Sequence, residues 1–453
     1  MKFLNVHYIL CLLFKNTSRG SNIVSNIRGV INLQINITKK VQVKKGKVSK
    51  YQWLKVWGPG LIVMLADTDA GCLITAAQSG AQWGYTMILP QILLIPILYM
   101  AQEMTVRLGI VTHKGHGELI RENFGTGWAW LSAGTLAISA IGALLTEFIG
   151  IAGVGELFGI SKWITVPLAT ILLVGIAFIG SYRRVEKIGV VIGSAELAFI
   201  IAIIIIRPSL SQMVQGLITI PWRHSSYVYL VAANVGAVIM PWMIFYQQGA
   251  VVDKRLDVHS ITKARHDTFV GTLITQGIML IFVIAFAATV GNRNFSGSLN
   301  SVSDLARALS PFIGSMTAKI LIGASILGGA MVAALVVALA GTWGITEVLN
   351  WKHSLNEPLN HKTAGFYIIY ALAHIVGAVL VLANFELVNM AVAVEVMNAL
   401  LLPIVLGFLL VLEAKVIPEE YQMKGIYKWT VTILCIIVMA FGMYMIGPVA
   451  NIW

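Results

Sequence analysis

Long apolar segments recur along this sequence, and they restrict its possible folds more than any other feature. A segment of about twenty apolar residues crosses the hydrocarbon core of a bilayer as an α-helix. Only 11% of the 453 residues are charged, whereas a soluble domain carries roughly 25% charged residues. The sequence therefore predicts an all-α membrane protein with about eleven transmembrane helices, called spans 1 to 11 below. The predicted spans are 57–78, 87–109, 128–158, 163–180, 189–206, 229–248, 269–290, 318–349, 366–382, 387–412 and 429–446.

Lysine and arginine residues divide the connecting loops into two classes. Alternate loops are rich in them, together with the N-terminal segment, and such loops face the cytoplasm. We therefore expect a multi-pass protein, in the plasma membrane, with its N-terminus in the cytoplasm and its C-terminus outside. Residues 1–50 are predicted to form a basic, disordered tail on anionic lipid, and 51–453 the transmembrane domain. These segments account for the net charge of +12, so no nucleic-acid partner is predicted, and protein partners stay open.

Two predicted spans are interrupted near the middle of the membrane. Span 1 contains the run Asp67-Thr68-Asp69-Ala70-Gly71, and span 6 contains Met240-Pro241. Interrupted helices at equivalent positions are typical of transporters built from inverted repeats. Because spans 1 and 6 are five helices apart, the sequence predicts an inverted five-plus-five repeat.

Span 1 places Asp67 and Asp69 in an otherwise apolar stretch, where a charge costs at least a few kcal/mol. A bound cation would compensate this charge, and Gly71 would let the helix unwind so that carbonyl oxygens join the carboxylates as ligands. The alternative is an internal ion pair with a lysine or arginine. No span carries a basic residue near its centre, which favours the cation.

Span 6 offers a different set of donors opposite these acids. Pro241 removes one backbone N–H and frees the carbonyls of the preceding turn. Met240 adds a thioether, which transition metals accept and hard ions ignore. Methionine is also a common packing residue in apolar helices, and that interpretation of Met240 is the more ordinary one.

Several motifs together resemble the Nramp family of metal transporters. They are Gly58-Pro59-Gly60 leading to DTDAG, then QSGAQWGY and RLGIVTHKGHGELIRENFG, the span 6 sequence GAVIMPW, which resembles the family's GATVMPH, and ALAGTWG at 338–344. The resemblance covers the chain from about Trp53 onward. It implies a LeuT-like fold, alternating access and divalent-cation transport. It also implies that Asp69, the Ala237 carbonyl and Met240 are metal ligands, with Cys72 at the position of the family's amide ligand.

The sequence departs from the family pattern at several of these positions. The family's Asp-Pro-Gly-Asn becomes Asp69-Ala70-Gly71-Cys72, and Asp67 adds an acid. Trp242 replaces the histidine of the family's proton route. In span 3, Glu147 stands where the family has an aspartate, and Gly150 replaces its second acid. We therefore do not expect the family's proton coupling.

These departures resemble the Nramp-related magnesium transporters. Mg²⁺ dehydrates reluctantly and prefers one or two carboxylates plus water, which two acids and a smaller residue at the amide position would suit. Cys72 and Met240 instead favour Mn²⁺ or Fe²⁺, although a buried thiol stays protonated and is a poor ligand. We expect the metal as substrate and no cofactor.

Further polar residues that could line the pathway are Gln78, Glu147, Glu196, Trp242, Tyr246, Glu347, His374, Glu395 and Asn398, the last beside a helix break implied by Pro403.

Three alternatives stay open at this point. The first is a proton-coupled Mn²⁺ or Fe²⁺ transporter of the ordinary Nramp type. The second is a membrane enzyme that uses the two aspartates, but no phosphate-binding loop, HExxH or GxSxG motif supports it. The third is a Na⁺-coupled amino-acid carrier on the same scaffold, whose substrate carboxylate the aspartates would repel.

Overall fold

The computed structural model describes residues 58–291, 299, 301–383 and 387–449, without the side chains of 387–389. Within these ranges the regular structure is helical throughout and contains no strand. The predicted tail at 1–50 lies outside the described residues.

Seventeen α-helices can be numbered in the described part of the chain. They are α1 (Pro59–Asp67), α2 (Ala70–Trp83), α3 (Ile88–Thr112), α4 (His116–Phe124), α5 (Thr126–Leu157), α6 (Lys162–Ala177), α7 (Tyr182–Gly193), α8 (Ile200–Ile206), α9 (Leu210–Ile218), α10 (Ser225–Val238), α11 (Pro241–Asp253), α12 (Ile261–Phe286), α13 (Val302–Ile313), α14 (Ser315–Leu349), α15 (Ala364–Leu382), α16 (Leu387–Val416) and α17 (Gly425–Val449). Short 3₁₀ segments lie at Gly84–Met87, Ser194–Phe199 and Val258–Ser260, and a π-helical turn follows α12 at Ala287–Gly291.

These helices match the eleven predicted spans. Nine segments of the described chain are long and apolar enough to cross a membrane. One of them, Ala70–Thr112, has 43 residues, which is twice the length of a single crossing. It contains the second half of span 1 and all of span 2. The shorter apolar helix α6 supplies span 4.

The break in span 1 follows from its local sequence. Pro59 stands in the first turn of α1, where a missing N–H costs nothing, and the Asp267 carboxylate accepts the N–H groups of Gly58 and Gly60 at 3.0 and 2.8 Å. The helix stops after Asp67. Asp69 then caps α2 by accepting the N–H of Cys72, so a new helix begins after only two non-helical residues.

The break in span 6 is caused by a proline. Helix α10 ends at Val238, Met240 is extended, and α11 begins with Pro241. Proline has no N–H to continue the ladder of α10 but fits the first position of a helix. Spans 1 and 6 are thus both interrupted, as predicted.

The broken helices lie inside the bundle. Span 1 packs against α12 and α14, α10 packs against α16, and α14 runs along α5. The break expected at Pro403 is wrong, because α16 continues through this residue from Leu387 to Val416. A single proline removes only one hydrogen bond of the helix. Gly442 of α17 also packs closely against α16 at Pro403.

Candidate cation site

Asp69 presents one free carboxylate oxygen at the start of α2. Its Oδ1 accepts the backbone N–H of Cys72 at 2.7 Å. The other oxygen, Oδ2, is buried and has no hydrogen-bond partner among the described residues. An N-cap thus holds the side chain in place while leaving an oxygen available to a ligand.

Glu395 and Cys72 complete a possible metal site with Asp69. One ligand atom from each of the three residues lies within 4.8 Å of the other two, and all three residues are buried. Gly71 makes this approach possible, since a Cβ there would lie 2.6 Å from Glu395 Oε1 and 3.3 Å from Asp69 Oδ1. Any larger residue at this position would push Glu395 away from Asp69.

Glu147 of α5 contacts the same aspartate. Its Oε2 accepts the N–H of Ala70 at 3.2 Å, and its carboxyl group interacts with that of Asp69. We call Asp69, Cys72, Glu147 and Glu395 the central cluster. Gly150, one turn farther along α5, has no room for a side chain because a Cβ would lie 2.4 Å from that of Ala70. This contact explains why no second acid stands there.

Glu395 is held by Asn398, one turn later in α16, and Asn398 is held in turn by Ser139 of α5. Asn398 donates from Nδ2 to Glu395 Oε2 at 3.0 Å and accepts the hydroxyl of Ser139 at 2.7 Å. The remaining oxygen, Glu395 Oε1, has no hydrogen-bond partner among the described residues. Glu395 therefore offers a positioned free oxygen, as Asp69 does.

Span 6 approaches the cluster through its backbone. The Cys72 thiol donates to the carbonyl oxygen of Ala237 at 3.1 Å, which places this carbonyl beside the site. Met240 Sδ accepts the indole N–H of Trp242 at 3.1 Å. Gly236 lets α10 touch α16, because a Cβ there would lie 1.7 Å from the backbone oxygen of Glu395. The sulfur atoms of Cys72 and Met240 thus both form hydrogen bonds with protein groups.

The central cluster has no positive partner in the part of the chain that the structure describes. Among the described residues, no lysine, arginine or histidine forms an ion pair with Asp69, Glu147 or Glu395. Buried carboxylates at membrane depth are stable only when another charge or a proton compensates them. The arrangement can therefore hold a cation among carboxylate and carbonyl oxygens.

Other predicted residues lie elsewhere. Asp67 is turned toward α12, where Thr275 donates to its Oδ2 at 3.4 Å. Gln78 is only half-buried, farther along α2. The ring of Tyr246 packs against Trp343, with ring centroids 5.4 Å apart. The sequence predicts Glu395 only as one of several pathway residues and not as a ligand, although an acid in an apolar helix is a signal that could have found it.

Buried ion pairs join the helices at the end of the bundle where α3 and α11 terminate. Arg107 bonds Glu103 at 2.6 Å within α3 and Glu413 of α16 at 3.0 Å. Lys254, just after α11, bonds Glu186 of α7 at 2.8 Å. The first contact connects span 2 to span 10, and the second connects span 6 to span 5. Ion pairs therefore hold this end of the bundle together.

His116 lies outside the membrane spans, at the start of α4. Its Nδ1 is 3.0 Å from Gln248 Oε1 of α11, and Gln248 in turn donates to the carbonyl of Lys114 at 2.9 Å. Burial lowers the pKa of His116 to about 4, so the ring is neutral near pH 7. This histidine attaches the second half of span 6 to the loop after span 2.

A family model settles the relationship that the motifs suggested. The model described as natural resistance-associated macrophage protein-like (Nramp) matches residues 60–447. The chain belongs to the Nramp family. Members of this family are transporters, so the prediction that the chain is not an enzyme is confirmed.

Individual Nramp relatives are distant but cover most of the chain. The divalent metal cation transporter MntH of Chromohalobacter salexigens is 27% identical over 308 residues, which are 65% of this chain and 71% of the relative. MntH of Pectobacterium carotovorum is 28% identical over 306 residues, which are 65% and 73% of the two chains.

Solved structures confirm the predicted LeuT-like membrane fold. The manganese transporter of Eremococcus coleocola, in complex with an aromatic bis-isothiourea compound, superposes with a TM-score of 0.72 at 20% identity, covering 90% of this chain and 89% of the other. Mhp1, a nucleobase-cation-symport-1 family transporter, superposes with a TM-score of 0.57 at 14% identity, covering 85% and 89%. The chain is therefore a multi-pass integral membrane protein of the Nramp family.

Proposed function

We propose that this protein carries divalent cations across the membrane by alternating access, with Mg²⁺ as its preferred cargo and without tight proton coupling. The observation that carries the proposal is the central cluster, in which three buried carboxylates and a carbonyl meet at two broken helices with no basic partner among the described residues. The MntH relatives are named as divalent metal cation transporters, which agrees with a divalent cargo.

The donor atoms favour a hard cation. Asp69, Glu147 and Glu395 offer carboxylate oxygens, the ligand type that Mg²⁺ prefers. Mg²⁺ takes one or two carboxylates directly and keeps several of its waters. Asp69 and Glu395 each offer one carboxylate oxygen without a hydrogen-bond partner among the described residues, which suits such an ion.

The sulfur atoms support the same preference. The Met240 thioether accepts a hydrogen bond from Trp242, and the Cys72 thiol donates one to Ala237. The Cys72 thiol would have to give up its hydrogen bond and its proton to bind a metal, and the Met240 sulfur already accepts an N–H. A transition metal would therefore gain less from these soft donors than the sequence alone suggests.

Alternating access would act through the two breaks. The central cluster joins α2 to α5 and α16, and the neighbouring carbonyl of Ala237 belongs to α10. Spans 1 and 6 could swing at residues 68–69 and 239–240, where the chain is not helical. The buried pairs of Arg107 and Lys254 would have to open to expose the cluster at their end of the bundle.

Weak proton coupling is proposed from one residue of span 6, Trp242, and one of span 3, Gly150. Trp242 stands directly after the proline and bonds Met240, and an indole has no titratable nitrogen to carry a proton. Gly150 likewise offers no acid one turn from Glu147. A proton route through these two positions would therefore be missing.

The second candidate is proton-coupled transport of Mn²⁺ or Fe²⁺. It is favoured by the position of Cys72, whose sulfur is one of the three atoms within 4.8 Å. Thiolate and thioether donors stabilise transition metals over Mg²⁺.

Flux into proteoliposomes separates the two candidates. Purified protein is reconstituted with a luminal dye for Mg²⁺, Mn²⁺ or pH, and each metal is added outside. The proposal predicts Mg²⁺ entry at millimolar concentrations without acidification of the lumen. Acidification driven by micromolar Mn²⁺, together with no Mg²⁺ entry, would establish the second candidate instead.

A further inference from the structure

A second buried acid lies beside the break in span 1. Glu196 sits in the 3₁₀ segment Ser194–Phe199 in the middle of span 5 and is completely buried. Its Oε2 accepts the hydroxyl of Thr68, whereas its Oε1 has no hydrogen-bond partner among the described residues. Glu196 is not one of the residues whose ligand atoms meet at Asp69. Its charge needs a compensation of its own.

The break also frees a backbone oxygen at this place. Helix α1 has ended, and Cys72, whose N–H would otherwise reach back four residues to Thr68, bonds the Asp69 side chain instead. No backbone N–H among the described residues donates to the Thr68 carbonyl. This carbonyl lies at the C-terminal end of α1, where the helix dipole favours positive charge.

The free carboxylate oxygen and the free carbonyl oxygen converge at Gly329 of α14. A Cβ on this glycine would lie 2.3 Å from the Thr68 oxygen and 3.4 Å from Glu196 Oε1. Ser325, one turn earlier in α14, adds a hydroxyl that donates to the Glu196 backbone carbonyl at 3.4 Å. Both acceptors thus lie beside the same glycine, and neither accepts a hydrogen bond among the described residues. A cation bound to both oxygens would compensate the carboxylate.

We propose that Glu196 and Thr68 form a second cation site, separate from the central cluster, which binds one monovalent metal ion of the Na⁺ type. One carboxylate with neutral oxygens balances a single positive charge, whereas a divalent ion would leave one charge uncompensated in the membrane interior. Unwound carbonyls and helix C-termini are known sources of ligands for Na⁺ in transporters with broken helices.

The site would connect three spans at the point where the cargo binds. Thr68 belongs to span 1 and directly precedes Asp69, Glu196 belongs to span 5, and Gly329 belongs to span 8. A bound ion would fix the break of span 1 against span 5, beside span 8, and so keep Asp69 in place. Its removal would release the end of α1.

The test uses the full chain in detergent, with chelator present and no divalent metal, so that it does not depend on transport. Thermal unfolding is followed at constant pH while NaCl replaces choline chloride at constant ionic strength. A ligand that binds only the folded state raises the melting temperature in a saturable way. We expect this rise with Na⁺ and no rise with choline; equal melting in both salts would overturn the site.

Variants locate the effect. Glu196→Gln keeps the shape of the side chain, and we expect it to weaken the apparent Na⁺ affinity at least tenfold; an unchanged Na⁺ response would overturn the assignment. Glu395→Gln is the matched buried control and should retain the Na⁺ response. A wild-type melting temperature that does not respond to Na⁺, together with a weaker pH dependence of stability in Glu196→Gln than in wild type, would place a proton on Glu196 and overturn the sodium site. A wild-type protein that responds to Na⁺ but does not bind Mg²⁺ would count against the proposed cargo alone.

Discussion

Substituting Gly71 by alanine should weaken cation binding without weakening the fold. The added methyl would lie 2.6 Å from Glu395 Oε1 and 3.3 Å from Asp69 Oδ1. Ordinary contact begins near 3.4 Å, so the Glu395 carboxylate has to move by most of an ångström. Its bond from Asn398 then lengthens, and its free oxygen leaves the position from which it could bind a metal.

The expected loss of cation affinity is the contribution of one charge-assisted contact. Such a contact contributes about 1.5–3 kcal/mol, which corresponds to a roughly 10- to 150-fold increase in Kd. Stability changes in the opposite sense, because alanine within a helix is preferred over glycine by about 0.5–1 kcal/mol. This gain offsets the displacement of a flexible side chain, and we expect the free energy of unfolding to stay within about 1 kcal/mol of wild type.

Calorimetric titration of Mg²⁺ into the purified protein measures the affinity, and thermal unfolding without metal measures the stability. Gly277→Ala is the matched control, since a Cβ at this position of α12 meets no atom of the described residues within 4 Å. The control should bind Mg²⁺ like wild type. Wild-type affinity in a folded Gly71→Ala protein would refute the placement of Glu395 at the cation site.

Three further perturbations follow from buried contacts. Arg107→Met leaves Glu103 and Glu413 without this partner, and thermal unfolding should show a loss of about 3 kcal/mol, the lower end of the cost of breaking a buried pair; unchanged stability would mean that the pair contributes nothing. Because the pKa of His116 falls to about 4 in the folded protein from its usual 6.5, the unfolded chain takes up the proton first as pH falls. Stability should therefore drop between pH 6.5 and 4 by about 3 kcal/mol, and a His116→Gln protein with the same pH dependence would contradict this. Gly236→Ala puts a Cβ 1.7 Å from a backbone oxygen of α16, and folded protein should be lost in size-exclusion chromatography; a normal monodisperse peak would show that the two helices can separate.

The helices and their interruptions could be predicted because their signals are local. Apolar length predicts each span without knowledge of its neighbours. Pro241 stops one helix and starts the next through its own missing N–H. Asp69 caps a helix that begins one residue later. The fold follows from such signals, since interrupted spans five helices apart already indicate an inverted repeat.

The composition of the cation site could be predicted only in part. Glu395 lies more than 300 residues from Asp69 in the chain and reaches it because Gly71 and Gly236 let α16 approach both broken helices. No local pattern contains that contact. Asp67 and Asp69 are two residues apart, yet the break directs one toward α12 and the other toward α5. Backbone geometry at a break is set by tertiary packing, so the sequence could not assign different surroundings to the two acids.

Uptake of Mg²⁺ by proteoliposomes that contain wild-type or Asp69→Asn protein tests the central claim most directly. The substitution removes one negative charge and preserves the size of the side chain, and Asp304→Asn, in a partly exposed pair with Arg307, serves as a control for the loss of an acid. The account predicts that Asp69→Asn abolishes uptake in a folded protein while Asp304→Asn retains it. Undiminished Mg²⁺ uptake by Asp69→Asn would contradict it.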